Sequence, residues 1–189
     1  MKKTQARRAK RPGPPGVSAA PDIAAMIRVD HAGEYGAVRI YEGQLAVFRS
    51  RKSKTTDAIK HMAAQEQQHL IVFDALINEH RVRPTALEPV WRAAGFALGA
   101  ATALMGENAA MACTAAVEEV IDQHYAAQLE QLGNVESKLR KTVETFRADE
   151  IAHRDTALAH GAEQAPAYRL MSGAIKAGCR LAIALSTRI

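Results

Sequence analysis

The sequence has little cysteine, and that scarcity excludes several kinds of site. Cys113 and Cys179 are the only two cysteines among 189 residues, and no Cys-x-x-Cys pair is present. A zinc finger, a rubredoxin-like centre and a disulfide framework therefore lack the residues that build them. The chain also begins without the apolar core of a secretory signal, so we expect a reducing intracellular compartment.

Aromatic residues are scarce as well, at 5% of the chain, and no alternating apolar run bounded by hairpin signals occurs. Such alternation marks half-buried strands, whereas apolar residues here recur at helical spacing. A length of 189 residues suits one domain with a substantial core. We therefore predict a single all-α domain.

Acidic residues are missing from both ends of the chain. Residues 1–21 carry six lysines and arginines and residues 165–189 carry four, with no Asp or Glu in either stretch. The formal net charge of +5 thus belongs to the ends, and the body between them is mildly acidic. We predict a disordered basic tail over residues 1–21, a folded domain over 22–189 and no nucleic-acid partner.

One motif occurs twice and organises the chain. Each copy is Glu-x-x-His, and each follows a solitary glutamate 32 residues upstream. The six residues are Glu34, Glu66 and His69 in the first half and Glu118, Glu150 and His153 in the second. A single Glu-x-x-His is usually a solvated helix face. Two copies with matched upstream glutamates are typical of ferritin-like carboxylate proteins, which hold paired metals inside a four-helix bundle.

Helix signals place these residues on four helices. We predict helices over about 22–48, 55–80, 107–133 and 135–161, and a last helix from Pro166. Pro84 and Pro89 are expected to enclose an extended connection. Gly33 and Gly36, beside Glu34, suggest that another backbone or a ligand comes close there.

Two further segments are apolar or amphipathic. Residues 93–106 carry no charge, but a bilayer crossing needs about 20 residues, so either a buried helix or an edge dipping into one leaflet fits. In residues 165–189 the cations Arg169, Lys176 and Arg180 share one helix edge. Such a helix suits a membrane surface or a partner, or else a bundle helix with a solvated face.

Charge explains why the six residues would bind two metal ions. Four carboxylates in one interior repel one another and lose hydration, whereas two divalent cations neutralise them. Oxygen and imidazole ligands favour iron or manganese over tetrahedral zinc, and we expect two iron ions whose open positions bind dioxygen.

Neighbouring residues are candidates for supporting roles. Asp149, whose counterpart in the other half is Gln65, and also Asp30 are expected to orient metal-bound histidines. His124 and Tyr125 lie close to the face of Glu118 and are candidates for a substrate or proton path. We expect Glu119 to be solvated or to support a ligand, and His31, His61, His80 and His160 to be ordinary exposed histidines.

Several local strings resemble one known family. They are residues 29–37 (VDHAGEYGA), 81–85 (RVRPT), 95–100 (GFALGA), 110–114 (AMACT), 117–119 (VEE) and 165–168 (APAY). Together they resemble the demethoxyubiquinone hydroxylase family of ubiquinone biosynthesis from about residue 24 to the C-terminus. The linker over residues 49–56 is slightly longer than the family pattern, and the first 21 residues match nothing in it.

The resemblance implies a membrane-associated di-iron monooxygenase that uses dioxygen to hydroxylate the ring of a demethoxy polyprenyl quinol. It carries the ligand role to Glu34, Glu66, His69, Glu118, Glu150 and His153. It also implies NADH or another reductant as electron source, with His124 and Tyr125 near the electron path, although no Gly-rich dinucleotide fingerprint is present.

The resemblance also implies a location and partners. We expect a peripheral membrane protein on the cytoplasmic face of a bacterial inner membrane or, alternatively, on the matrix face of the mitochondrial inner membrane. Residues 93–106 and 165–189 would then dock the bundle on lipid. A lipid-presenting partner protein and homo-oligomerisation are left open.

Two other functions compete with this interpretation. A ferritin-like iron oxidase or storage protein would share the ligands but would not need the uncharged segment or the basic amphipathic helix. A non-catalytic helical adaptor at the membrane surface would carry the carboxylates on exposed faces.

Overall fold

Six α-helices account for most of the computed structural model, which describes residues 21–189. The helices are α1 (Ile23–Phe48), α2 (Lys54–Glu79), α3 (Glu88–Leu104), α4 (Glu107–Leu132), α5 (Ser137–Ala159) and α6 (Tyr168–Ser186), with a 3₁₀ turn at Ala162–Gln164. No strand occurs in this part of the chain. The all-α prediction is confirmed, whereas the predicted basic tail lies outside the described residues apart from Pro21.

The helix ends follow local chemistry and fall within two residues of the predicted positions. The Asp22 side chain accepts a hydrogen bond from the Ala25 backbone N–H at 3.1 Å, and the Ser53 hydroxyl accepts one from Thr56 at the same distance. Each bond satisfies a free N–H in the first turn of a helix. After α4 the chain turns at Gly133, which has φ of 51°.

The extended connection predicted to reach Pro89 is shorter in the structure, so its predicted length was wrong. Helix α3 already begins at Glu88, so Pro89 lies in its first turn. The first backbone N–H groups of a helix have no partner within it, and proline, which lacks that group, is tolerated there. The extended part of the connection is therefore confined to residues 82–85, with a turn at 86–87.

The chain consists of two successive halves with the same order of helices. Helix α4 begins and ends 84 residues after α1, and α5 and α6 follow α2 and α3 at nearly the same interval. Helix α1 packs against α2 and α3, while α4 packs against α5 and α6. The bundle core is thus formed by α1, α2, α4 and α5, and each half adds one outer helix.

Apolar residues fill the bundle at both ends and leave its middle to polar groups. One cluster includes Tyr41, Phe48, Ile59, Met62 and Met111. The other includes Ile27, Phe73, Tyr125, Leu132 and Val143. Burial of these side chains supplies the main favourable free energy of folding, roughly 25 cal/mol per Å² of apolar surface.

Helices α1 and α3 cross at close range through glycines. A Cβ atom at Gly99 would overlap the carbonyl oxygen of Ile40, and one at Gly43 would overlap that of Phe96. A backbone comes close at Gly36, as expected: a Cβ on Gly95 of α3 would lie 2.9 Å from the Gly36 carbonyl oxygen. A Cβ on Gly36 itself would meet nothing within 4 Å, one on Gly33 would meet only Ile121 at 3.9 Å, and both glycines border a cavity.

The uncharged segment over residues 93–106 forms most of α3, and the buried-helix alternative was wrong. Only Gly99, Thr102 and Ala103 of α3 are buried, whereas Phe96 and Leu104 are 43% and 76% exposed. Helix α6 likewise exposes Leu170 and Leu181, at 77% and 60%. Within residues 21–189, no helix combines the length and hydropathy that a bilayer crossing needs.

Two of the three cations on the predicted basic edge of α6 contact α4, whereas Arg169 is exposed. The Lys176 ammonium lies 2.7 Å from a carboxylate oxygen of Glu119 on α4, and Arg180 donates to the side-chain oxygen of Gln123 at 3.2 Å. Glu119 is therefore the partner of a lysine and contacts none of the six motif residues by hydrogen bond. The surface that α6 leaves uncovered is mainly apolar.

Candidate metal centre

The six residues of the repeated motif converge in the middle of the bundle. Two overlapping groups have one potential ligand atom per residue within 4.8 Å of one another. The first group is Glu34, Glu66, His69 and Glu150, and the second is Glu66, Glu118, Glu150 and His153. Glu66 and Glu150 belong to both groups. All six residues are at most 3% exposed, which is exceptional for glutamates unless they are paired or coordinate a metal.

Several of the potential ligand atoms have no hydrogen-bond partner. The buried atoms left without one in residues 21–189 include Glu66 Oε1, both carboxylate oxygens of Glu150, and Nδ1 of His69 and His153. His153 Nδ1 lies 2.9 Å from Glu66 Oε1, and His69 Nδ1 lies 3.2 Å from Glu150 Oε1, but neither pair is aligned as a hydrogen bond. Buried polar atoms without partners are costly, and coordination of a cation would satisfy them.

Burial and mutual repulsion disfavour the charged carboxylates. Burial, together with the neighbouring carboxylates, raises the pKa of Glu66 and Glu118 well above its usual range, and burial also raises the pKa of Glu150. Burial lowers the pKa of His153. At His69 burial acts in the same direction, but the carboxylates of Glu150 and Glu34 outweigh it and raise the pKa to about 10. Without cations, the centre therefore retains protons.

A tyrosine from the opposite half supports each upstream glutamate. Tyr41 on α1 donates a hydrogen bond to Glu118 on α4 at 3.1 Å, and Tyr125 on α4 donates one to Glu34 on α1. Each tyrosine follows the glutamate of its own helix by seven residues, so the pair lies on one face two turns apart. Tyr41 was not among the predicted site residues, although this shared seven-residue interval marks it.

Each half also supplies the group that orients the other half's histidine. His69 Nε2 lies 3.1 Å from Asp149 Oδ2, and His153 Nε2 lies 3.1 Å from Gln65 Oε1. Donation from Nε2 leaves Nδ1 of each ring as the free nitrogen that faces the carboxylates. Asp149 thus contacts a histidine of the centre, as predicted, but that histidine belongs to the other Glu-x-x-His motif.

Asp30 does not orient either of these histidines, so that prediction was wrong. Its Oδ1 lies 2.9 Å from Nε2 of His124 and accepts a hydrogen bond from Gln128 at 3.0 Å. Asp30 is 2% exposed, and burial raises the pKa of its carboxyl group. The His124 ring lies beside that of Tyr125, with centroids 5.9 Å apart. His124 is therefore linked through Tyr125 to Glu34.

The remaining histidines lie away from the centre, and only one of the four is exposed. His31 is buried, and its Nε2 lies 2.9 Å from Asp74 Oδ1 on α2, so the expectation of an exposed side chain was wrong. His61 is exposed, while His80 and His160 are half-buried. None of the four belongs to a group of potential metal ligands in residues 21–189.

Two cavities lie one behind the other beside the centre. An apolar cavity of about 530 Å³ lies between α1, α3, α4 and α6, and it is bordered by Gly36, Trp91, Leu98 and Cys179 among others. A small cavity of about 20 Å³ reaches Glu34, Glu66, Glu118 and Glu150 and has room for a molecule of about water's size. Both cavities are bordered by the same five residues, Val29, Gly33, Ala37, Ile121 and Ile183. The apolar cavity therefore adjoins the six converging residues.

The sequence model of the family described as "Ubiquinone biosynthesis protein COQ7" matches residues 21–186. The chain belongs to this family. The match spans all six helices, so it includes every residue of the converging group and both outer helices. The resemblance seen in the local strings is thereby confirmed.

Individual members of the COQ7 family are similar along most of their length. The 3-demethoxyubiquinol 3-hydroxylase of Rhodospirillum rubrum is 55% identical over 178 residues, 94% of this chain and 82% of that protein. A Homo sapiens relative named NADPH-dependent 3-demethoxyubiquinone 3-hydroxylase, mitochondrial, is 49% identical over 87% of this chain and 76% of its own length. The Saccharomyces cerevisiae 5-demethoxyubiquinone hydroxylase, mitochondrial, is 42% identical over 87% of this chain and 77% of that protein.

Proposed function

We propose that this chain is a di-iron monooxygenase that hydroxylates the ring of a demethoxy polyprenyl quinol. The observation that carries the proposal is the convergence of four buried glutamates and two histidines. Potential ligand atoms of Glu66, Glu150 and both histidines have no hydrogen-bond partner. Relatives at 55% and 49% identity carry the name of that hydroxylase, which supports the same reaction for this chain.

Two metal positions fit the donor set. Glu34 and His69 would hold one ion and Glu118 and His153 the other, and Glu66 and Glu150 are available to both, since they belong to both groups. Four carboxylates balance two divalent cations, and carboxylate with imidazole ligands suits iron. When bound, the iron ions would pass two electrons from the reductant to dioxygen, so that one oxygen atom becomes the ring hydroxyl and the other leaves, with two protons, as water.

The protein's own residues would hold the ligands in place and supply protons. The hydroxyls of Tyr41 and Tyr125 each fix one carboxylate, and Asp149 and Gln65 each fix one imidazole. His124 is partly exposed and lies between solvent and the buried Asp30, beside Tyr125. It is the residue best placed to bring a proton towards Glu34, and its partner Asp30 holds the ring in position.

The apolar cavity is the proposed quinol site. Its walls are almost entirely apolar, which suits a polyprenyl tail, and the small cavity beyond it reaches the carboxylates. The ring would enter first and stop beside Glu34, with the tail running back between α3 and α6. Those helices expose apolar faces at the outer side, so the bundle would rest on lipid and take its substrate from the bilayer.

The proposed location is a membrane surface. Within residues 21–189, no helix is long and apolar enough to cross a bilayer. A bacterial inner membrane and the matrix face of the mitochondrial inner membrane both fit, and several relatives carry the word mitochondrial in their names. A reduced nicotinamide is the proposed electron source, supported by relatives named NADPH-dependent.

The competing functions fit less well. An adaptor would carry these carboxylates on exposed faces, whereas the six side chains are buried together. A ferritin-like iron oxidase or storage protein would not need an apolar cavity of about 530 Å³ or exposed apolar faces on two outer helices.

Turnover and metal content measured on one sample would test the proposal. Iron-loaded protein with a demethoxy quinol, a reductant and ¹⁸O-labelled dioxygen should give ring-hydroxylated product that carries one labelled oxygen, at two irons per chain. Glu150→Ala should abolish product and lower the iron content, whereas Glu144→Ala, at an exposed position on the same helix, should change neither. Unlabelled product, or full turnover by Glu150→Ala, would refute the assignment.

A further inference from the structure

The two halves of the centre differ in the group that orients each histidine. Asp149 and Gln65 hold related positions, each directly before the glutamate of a Glu-x-x-His motif. Each lies 3.1 Å from Nε2 of the other half's histidine, Asp149 at His69 and Gln65 at His153. The same hydrogen bond thus ends on a carboxylate at one histidine and on a neutral amide at the other.

We propose that this difference makes the two metal positions unequal in affinity. Asp149 acts as a positioning residue, and the position next to His69 holds its metal ion more tightly than the position next to His153. The inference rests on the metal centre of the proposed function, and it does not depend on the identity of the organic substrate.

The strength of the two orienting bonds supplies the physical reason. A hydrogen bond from imidazole to a charged carboxylate is about twice as strong as one to a neutral oxygen. It also transfers electron density to the ring and makes Nδ1 a better donor to a cation. The Asp149 side chain is 35% exposed and so remains hydrated, whereas the His69 side chain is 4% exposed. The Asp149 carboxylate therefore contacts the His69 ring from outside the group of six converging residues.

The other ligands are matched between the two halves and do not set the order. Glu66 and Glu150 are shared by both positions. Glu34 and Glu118 each accept one tyrosine hydroxyl, from Tyr125 and Tyr41 respectively. One further contact differs but is uncharged: the Phe146 ring stacks on that of His69 with centroids 3.8 Å apart, whereas Met62 holds the related position in the other half. The orienting group is therefore the main difference in polarity among the direct contacts to the ligands.

A further acid and base, Asp30 and His124, lie near the centre but do not touch its two histidines. The positions 84 residues away hold the neutral Thr114 and Ile40, so the first half supplies the acid, the second half supplies the base, and neither residue is repeated. Asp30 and His124 contact each other at 2.9 Å, and neither forms a hydrogen bond with His69 or His153. Because neither residue orients a histidine of the centre, Asp149 against Gln65 is left as the deciding difference.

Variants that exchange the carboxylate and the amide, with little change in side-chain shape, test the inference. Asp149→Asn and Gln65→Glu keep an oxygen acceptor at each position, and the double variant interchanges the two chemistries. Metal-free protein would be given one equivalent of Co²⁺ per chain, crystallised, and the ion located by anomalous scattering. We expect at least about tenfold higher occupancy next to His69 in the unaltered chain, near-equal occupancy in Asp149→Asn, and the reverse preference in the double variant.

Calorimetry of Co²⁺ binding gives a second measurement that needs no crystals. The unaltered chain should bind two ions in steps whose Kd values differ about tenfold or more, and the steps should merge in Asp149→Asn. Asp155→Asn, an exposed change on the same helix, should leave them separate. Equal occupancy in the unaltered chain, or an unchanged order in the double variant, would overturn this inference alone. Absence of Co²⁺ binding would overturn the metal centre as well.

Discussion

The hydroxyl of Tyr41 on α1 donates a hydrogen bond to a carboxylate oxygen of Glu118 on α4, 3.1 Å away. Tyr125 and Glu34 repeat the arrangement with the two helices exchanged. Each half of the chain thus carries a glutamate of the proposed centre and the tyrosine that fixes the other half's glutamate. The centre is complete only when both halves are packed together.

Removal of one tyrosine hydroxyl should weaken metal binding. Tyr125→Phe leaves Glu34 without its donor, and we expect about tenfold weaker Co²⁺ binding, because the groups that orient a ligand commonly contribute that much. Tyr35→Phe is the matched control, since the Tyr35 ring lies under the Arg39 guanidinium at 5.0 Å and its hydroxyl forms no hydrogen bond in residues 21–189. Titration calorimetry measures both, and equal affinities would contradict the role of Tyr125.

Removal of the metal should make stability fall as pH rises above 6.5. Burial raises the pKa of Glu66, Glu118 and Glu150, so the folded chain keeps protons that the unfolded chain loses above about pH 4.5. His69, with its pKa raised to about 10, adds stability below pH 6.5 that is lost as pH rises towards 10.

His153 acts in the opposite direction, but only at lower pH. Burial lowers its pKa, so its contribution to stability is lost as pH falls below 6.5. Thermal unfolding of the chelator-treated protein between pH 6.5 and 9 should therefore show a steadily falling Tm. The metal-loaded protein should not share this decline, because metal binding displaces the protons. A falling Tm in both forms would contradict the prediction.

The crossing of α1 and α3 should tolerate no side chain at Gly99. Gly99→Ala places a Cβ against the Ile40 carbonyl oxygen, and we expect a loss of about 1–3 kcal/mol in the free energy of unfolding from overpacking. Gly173→Ala, on α6 with nothing within 4 Å, should be neutral or stabilising by up to about 1 kcal/mol. Urea unfolding would measure both, and similar effects at the two sites would count against the close approach.

A bulky residue in the apolar cavity should impair the reaction without loss of metal. A side chain at Gly36 meets nothing within 4 Å and projects beside the cavity, so Gly36→Leu should occupy space proposed for the quinol. We expect a fall of about tenfold or more in kcat/KM, equivalent to roughly 1.4 kcal/mol, at unchanged iron content. Gly173→Leu, outside the cavity, is the control, and equal kcat/KM for the two variants would place the substrate elsewhere.

The uncovered apolar face of α6 should carry the lipid contact, rather than its cations. Leu170→Ser with Leu181→Ser should weaken binding to phospholipid vesicles several-fold, since each buried leucine contributes at most about 1.5–3 kcal/mol. Ile71→Ser with Val72→Ser, at exposed positions on α2, should leave vesicle binding unchanged. Flotation with the vesicles measures both pairs of changes. Charge reversal of Lys176 should instead mainly disturb its contact with Glu119.

The helices and the convergence of the six motif residues could be predicted because both follow from local periodicity. Glutamate and histidine three residues apart share a helix face, and two matched copies imply that those faces meet. Helix ends were predicted within two residues because Asp22, Ser53 and Gly133 act within a single turn. The ligand roles of the six residues stay a prediction until a metal is measured.

The failed expectations concern relations between distant helices. Asp30 pairs with His124 across two helices, His31 turns to Asp74, and α3 exposes most of its apolar surface. No interval along the chain encodes which neighbour a side chain meets, because that depends on how helices cross and rotate. Tyr41 is the exception, since its seven-residue distance from Glu34 matched that of Tyr125 from Glu118.

The sequence by itself determined the all-α class, the four bundle helices and the identity of the groups that would bind metal, since helical periodicity and ligand chemistry are local properties. Only the tertiary structure decided that Asp149 contacts Nε2 of His69 and that Gln65 contacts Nε2 of His153. It also decided that an apolar cavity adjoins the carboxylates. Those relations arise when the two halves bury their polar faces against each other, and burial of that kind joins residues about 80 positions apart.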